Sequence, residues 1–132
     1  MGASQTAELL SRCDLLRSLH RPGAPLLLPN VWDVATARAV VAAGFPVVAT
    51  GSVGVAAALG YEDHEAPADE MLGAAARIAS GVEVPVTVDA EAGYGMDPAE
   101  LAAALRSAGA AAVRRANAYL EAGADCVYPI GL

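Results

Sequence analysis

Three times along this chain a short apolar run ends in polar residues, gives way to a helical pattern, and returns through a glycine towards another apolar run. The runs at 26–28, 46–49 and 84–88 are apolar on both sides rather than alternating, and the segments after them are long enough for crossover helices. Strands of that kind belong in a parallel sheet covered by helices. Functional residues in such sheets gather beyond the carboxyl ends of the strands. The polar residues fall there: Asn30, Trp32 and Asp33 after the first run, Thr50 and Ser52 after the second, Asp89 and Glu91 after the third.

The spacing predicts a helix over residues 4–20, with Leu9, Leu10, Leu15, Leu16 and Leu19 near one side and a stop at Pro22-Gly23. Residues 26–28 read as a buried strand leading to Pro29-Asn30. Asp33 is placed to cap a helix whose stripe is Val34, Ala37, Val40 and Val41, closed by Gly44. A strand at 46–49 is followed by a Gly- and Ala-rich passage, the acidic turn YEDHE, and a helix over 68–79. Residues 84–88 are β-branched except for Pro85 and form the clearest strand.

The glycine junction recurs at Gly44, Gly109 and Gly123, but the last two are too close for a full strand, crossover and strand, which take about 30 residues. Two readings repair this. Residues 110–113 form a strand truncated directly into a helix from Arg114, or the helix after Asp97-Pro98 runs on through Gly109. Either way there is an irregularity near 113–114, and the chain ends in a strand-like run at 127–130. The expected architecture is a partial (β/α) TIM-type barrel with parallel strands and outer helices, one incomplete domain over 1–132.

Composition removes several functions. The 132 residues carry a formal charge of −7, and all 8 basic residues are scattered arginines. No basic stripe exists to follow a phosphate backbone, so nucleic acid is not an expected partner. With no lysine, an imine-forming mechanism is closed within the chain. Cys13 and Cys126 are far apart and lack CxxC spacing, which fits a reducing compartment. The start has acidic residues and no signal-peptide pattern, and the most apolar stretch is too short and too broken to span a bilayer. A cytoplasmic protein without membrane partners is expected.

The residues with most chemical content lie in VTVDAEAGYGMDPAE. If strand geometry continues, Asp89 and Glu91 point the same way by period-two alternation and converge on one hard cation. Mg2+ suits such a pair, being held by a few carboxylates, waters and substrate oxygens. It would polarise a carboxylate or carbonyl beside a forming enolate. Gly93 and Gly95 let the backbone turn closely around the site, and Tyr94 offers packing or a hydroxyl. The competing reading is an ordinary β-to-α turn with Glu91 in solvent and Asp97-Pro98 capping the next helix. Asp63 is placed to orient a metal-bound water or substrate, whereas His64 reads as a surface residue of an acidic loop. Gly51, Ser52 and Val53 offer amides and a hydroxyl to a substrate carboxylate, and Trp32 either walls the pocket or packs.

Together, PNVWDVATARAVVAAGFPVVATGSVGVAAALGYEDHE and PVTVDAEAGYGMDPAE closely resemble the isocitrate lyase/phosphoenolpyruvate mutase family. RRANAYLEAGADCVYPIGL also resembles it, in a later part. The resemblance implies a (β/α)₈ barrel and magnesium-dependent lysis or rearrangement beside a 2-oxo or enolised carboxylate. It implies that Asp89 is a metal-site aspartate, Glu91 its acidic partner, and Asp63 the acidic residue after the second strand. It assigns Gly51-Ser52-Val53 to the substrate-carboxylate loop, with glycine where relatives usually place serine. The family's next strand, lid and substrate-binding arginine have no counterpart, since Arg114 follows directly. A full barrel takes about 250 residues, so the expectation is a lyase-type site with weak or no independent activity. The alternative is a catalytically silent remnant or interaction protein that self-associates or binds another chain through exposed edges.

Overall fold

In the computed structural model the described residues are 3–111. Helix α1 (Ala3–Leu19) precedes β1 (Asn30–Val31), α2 (Val34–Ala42), β2 (Val48–Thr50), α3 (Ser52–Leu59), α4 (Ala68–Ser80), β3 (Val86–Thr87) and α5 (Pro98–Ser107). The sheet order is β1-β2-β3, and both pairings are parallel. Asn30 lies opposite Ala49, and Val48 opposite Val86. The sheet is open, as expected of part of a (β/α) barrel.

Val31, Val48 and Val86 are fully buried on one face of the sheet, the face that the crossover helices cover. They pack with Ala37, Met71 and Ile78 from the crossover helices. A second cluster joins Cys13 and Leu16 of α1 to Val47 and Ala111. Burying each larger aliphatic side chain contributes roughly 1.5–3 kcal/mol.

Local chemistry explains the helix boundaries. Asp33 accepts from Thr36 N–H at 2.7 Å, while Thr36 Oγ1 accepts from Asp33 N–H at 3.2 Å, a reciprocal cap at the start of α2. Asp97 caps α5, with Pro98 in the first turn where its missing N–H costs nothing. Gly109 follows α5 with φ 84°, and Ala111 N–H then donates to Val86 carbonyl at 3.0 Å. The helix therefore does not run through Gly109; the chain turns there and joins the edge of β3.

Three expectations need correction. Residues 26–28 are not a buried strand: Leu27 is 69% exposed, Leu28 is also exposed, and the ladder begins at Asn30. The Gly- and Ala-rich passage contains a helix, α3, whose apolar sequence offers no polar face to betray it. In α1 the inward line is Leu9, Cys13, Leu16 and Leu19, while Leu10 and Leu15 face solvent. The expected irregularity near 113–114, the run at 127–130 and Cys126 lie outside the described residues. Among the described residues no helix is long and apolar enough to cross a membrane.

Candidate metal centre

β2 and β3 end side by side, and their following turns are tied together by Asp89. Its Oδ2 accepts from Ser52 N–H at 3.2 Å and its Oδ1 from Glu91 N–H at 3.0 Å. Its own N–H donates to Thr50 Oγ1 at 2.9 Å. By whole-residue exposure Thr50 and Ser52 are the buried polar residues among those described, and both lie in this joint. A buried polar group persists where it has partners, and here Asp89 meets the Thr50 hydroxyl and the Ser52 backbone amide.

Strand alternation does not relate Asp89 to Glu91. β3 ends at Thr87, and Glu91 has φ 51°, a left-handed turn conformation to which period two does not apply. The backbone bond from Glu91 to Asp89 sets their proximity instead. The Gly93-Tyr94-Gly95 turn continues in the left-handed region at φ 86°, 56° and 70°. Glycine enters that region freely, whereas tyrosine does so rarely.

The positive-φ non-glycine residues among those described are His64, Glu91 and Tyr94. His64 Nδ1 lies 3.1 Å from Glu91 Oε2, and its Nε2 lies 3.4 Å from Asp63 Oδ2. One donor atom each from Asp63, His64 and Glu91 falls within 4.8 Å of the others. Unusual backbone held at a cluster of ionisable groups is a mark of functional sites. His64, read from sequence as a surface residue, is thus exposed but paired. The missing signal was tertiary, because its partner is 27 positions away.

The Glu91 side chain is only 8% exposed, and its Oε1 is buried without a hydrogen-bond partner. An unpartnered buried carboxylate oxygen is costly unless a cation or donor meets it. The donor set is therefore chemically suited to a divalent ion, with Glu91 fixed and Asp63 and His64 on the solvent side. Asp89 stands outside the three-donor group, its two oxygens engaged by backbone amides. Tyr94 is pushed up to about 12, chiefly by burial and then by the charges of Glu91 and Asp89, so it keeps its proton at neutral pH.

The other expected residues have these positions. Gly51 N–H donates to Val31 carbonyl at 3.3 Å, and Ser52 N–H is taken by Asp89, so neither amide is directed at a ligand. Val53 is exposed at the start of α3, which begins without a side-chain cap. Trp32 is 46% exposed and packs across Gly54, where a Cβ would come within 3.1 Å of the Trp32 Cβ.

The His64 imidazole is held above its ordinary value, first by the hydrogen bond to Glu91 and then by the charge of Asp63. With the folded value above the unfolded one, this stabilisation is full below about pH 6.5 and is lost as pH rises through the folded value. In chelator, the urea midpoint of the wild type should fall over that rise more than that of His64→Asn. An NMR titration of the His64 ring in Glu91→Gln should move back towards the ordinary midpoint; an unchanged midpoint would exclude the pairing.

A family model described as phosphoenolpyruvate phosphomutase matches residues 16–113. Over 95 residues the chain is 40% identical to an uncharacterized protein of Mycobacterium tuberculosis, covering 69% of this chain and 36% of that protein. A provisionally named phosphonomutase from Burkholderia cenocepacia J2315 superposes with a TM-score of 0.73 at 39% identity, covering 87% of this chain and 57% of the other. Oxaloacetate acetylhydrolase, solved with its product oxalate, is similar with a TM-score of 0.67 at 28% identity, covering 76% of this chain and 37% of the other. The chain thus spans about a third of the curated relative and little more than half of the first of these structures. With the family pattern extending from α1 to the edge of β3, the chain belongs to the phosphoenolpyruvate phosphomutase family, within the isocitrate lyase/phosphoenolpyruvate mutase superfamily.

Proposed function

We propose that this chain carries the metal-binding part of a lyase- or mutase-type site acting on a small 2-oxo or enolisable carboxylate, with Mg2+ as its ion. The observation that carries this reading is the buried, unpartnered Oε1 of Glu91 beside the Asp89 joint. When bound, the ion would neutralise charge developing on an enolate. Glu91 binds it, Asp89 binds it directly or through water while holding the two turns in register, and Asp63 orients a water or the substrate. Ser52 Oγ and the amides of Val53 and Gly54 receive the substrate carboxylate. First-turn N–H groups lack intrahelical partners and favour an anion. Trp32 walls the approach, and the Gly93-Tyr94-Gly95 turn closes the metal side.

Oxalate, the product bound by the related acetylhydrolase, is the direct probe. Calorimetry should detect oxalate binding in Mg2+, none in chelator, and none in Glu91→Gln. Binding indifferent to Mg2+, or no binding at millimolar oxalate, would sink the reading. We further propose that turnover by the chain alone is weak or nil, because catalysis tolerates little displacement of its groups. Mg2+-dependent cleavage of isocitrate-like acids, or oxaloacetate decarboxylation, by the pure chain would overturn this.

A second reading, action through self-association or binding of another chain, is favoured by the exposed leucines Leu10, Leu15, Leu27 and Leu28. Cover by another protein surface would take these side chains out of water. A strictly monomeric profile in light scattering would count against self-association.

A further inference from the structure

We propose that His64 is a direct ligand of the bound cation, and that this chain's site therefore favours a transition-metal dication such as Co2+ or Zn2+ over Mg2+. The inference rests on the cation site proposed above and changes its ion. Three features of the structure support it. Asp63, His64 and Glu91 form the group whose donor atoms lie within 4.8 Å of one another, whereas Asp89 is occupied by the Ser52 and Glu91 amides. Glu91 presents a buried oxygen with no partner, an independent sign that something is to be met there. His64 is set against Glu91 by a left-handed backbone at φ 64°, a conformation uncommon outside glycine.

The chemistry then selects the ion. Mg2+ asks for oxygen ligands in near-octahedral array and gives up water reluctantly. Imidazole suits Zn2+, Co2+ and other later first-row ions, whose affinity for a nitrogen- and oxygen-bearing site rises along the series. Metal–donor distances of about 2.0–2.2 Å place two ligands on one ion closer than the outer limit of this group. Small movements of Asp63 and His64 close the difference. Both are exposed side chains, 43% and 66% respectively, while Glu91 is anchored.

The test uses the full chain, stripped of metal and held slightly above neutral pH, where imidazole is available as a neutral ligand. Affinities for Co2+ and for Mg2+ are measured by calorimetry in the wild type and in His64→Asn. Asparagine is chosen because it tolerates the left-handed conformation. The wild type should prefer Co2+ by on the order of 100-fold or more, and His64→Asn should cut that preference by about 10-fold while changing Mg2+ affinity less than about 3-fold. Carboxylates alone also favour Co2+ somewhat, so the change in the ratio is the decisive quantity. As a second readout, added Zn2+ should shift the His64 ring resonances in proportion to occupancy. An unchanged ratio with unmoved His64 resonances overturns this inference and leaves the Mg2+ reading standing. Binding of neither ion overturns both.

Discussion

Replacing Asp89 with alanine is expected to lower the free energy of unfolding by about 2–4 kcal/mol and to abolish divalent-cation binding in the same step. The carboxylate accepts from two backbone amides, Ser52 and Glu91, on different turns. Hydrogen bonds to a charged acceptor are worth roughly 1.5–3 kcal/mol each, with the lower part of the range suited to a half-buried group. Removing it leaves the Ser52 amide at the head of α3 without its partner and frees the turn that fixes Glu91. Asp89→Asn should lie between, because one carbonyl oxygen can keep one amide while the NH2 opposes the other. Urea unfolding followed by far-ultraviolet circular dichroism gives the stability, and calorimetry with Mg2+ gives the binding. Full stability in Asp89→Ala would show that the joint is ornamental, and retained binding would show that Glu91 is positioned without it.

That prediction depends on a geometry only half legible in the sequence. The identities were there: a carboxylate at the end of a β-branched run, another two residues on, then glycines around a tyrosine. Their arrangement was not, because strand alternation stops where Glu91 enters the left-handed region. Nothing in the composition of DAEAGYG distinguishes a continuing strand from a tight turn. The partners of Asp89 and Glu91 come from residues 37 and 27 positions away, and such pairings are set by how β2 and β3 lie together. His64 looked solvated for that reason.

The same contrast runs through the fold. Helices α2 and α5 were readable because Asp33 and Asp97 satisfy amides that any helix start leaves open. Helix α4 was readable from its apolar face, with Met71, Ala74, Ala75 and Ile78 buried at helical spacing. α3 was not, since SVGVAAAL has no polar stripe and carries an internal glycine. Hydropathy points to Leu26-Leu27-Leu28 because it is more apolar than Asn30-Val31, yet backbone pairing with β2, not hydropathy, decides where the ladder lies. Beyond Gly109, periodicity left a strand and a helix open. The positive φ at that glycine ends the helix, and the bond from Ala111 to Val86 sets the chain against β3.

Ile78→Ala should cost about 2–5 kcal/mol, the range for emptying an aliphatic side chain into a cavity that its neighbours fill only in part. Ile78 is 1% exposed and packs with Val31, Val48 and Val86, the residues that set the three strands against the crossover helices. Against a total stability of roughly 5–15 kcal/mol, such a loss leaves a much larger unfolded fraction. Yet the hydrogen bonds that join Asp89 to Ser52, Thr50 and Glu91 do not involve this residue, so the folded fraction should retain its cation affinity. A cation that binds only the folded state adds about 2.7 kcal/mol at 100 times its dissociation constant. Ile78→Ala should therefore gain the same increment from saturating cation as the wild type, while Asp89→Ala gains none. Urea midpoints with and without cation separate the two cases: a loss below about 1 kcal/mol would refute the packing account. A vanished cation increment in Ile78→Ala would show that the site depends on core packing more directly than its hydrogen bonds indicate.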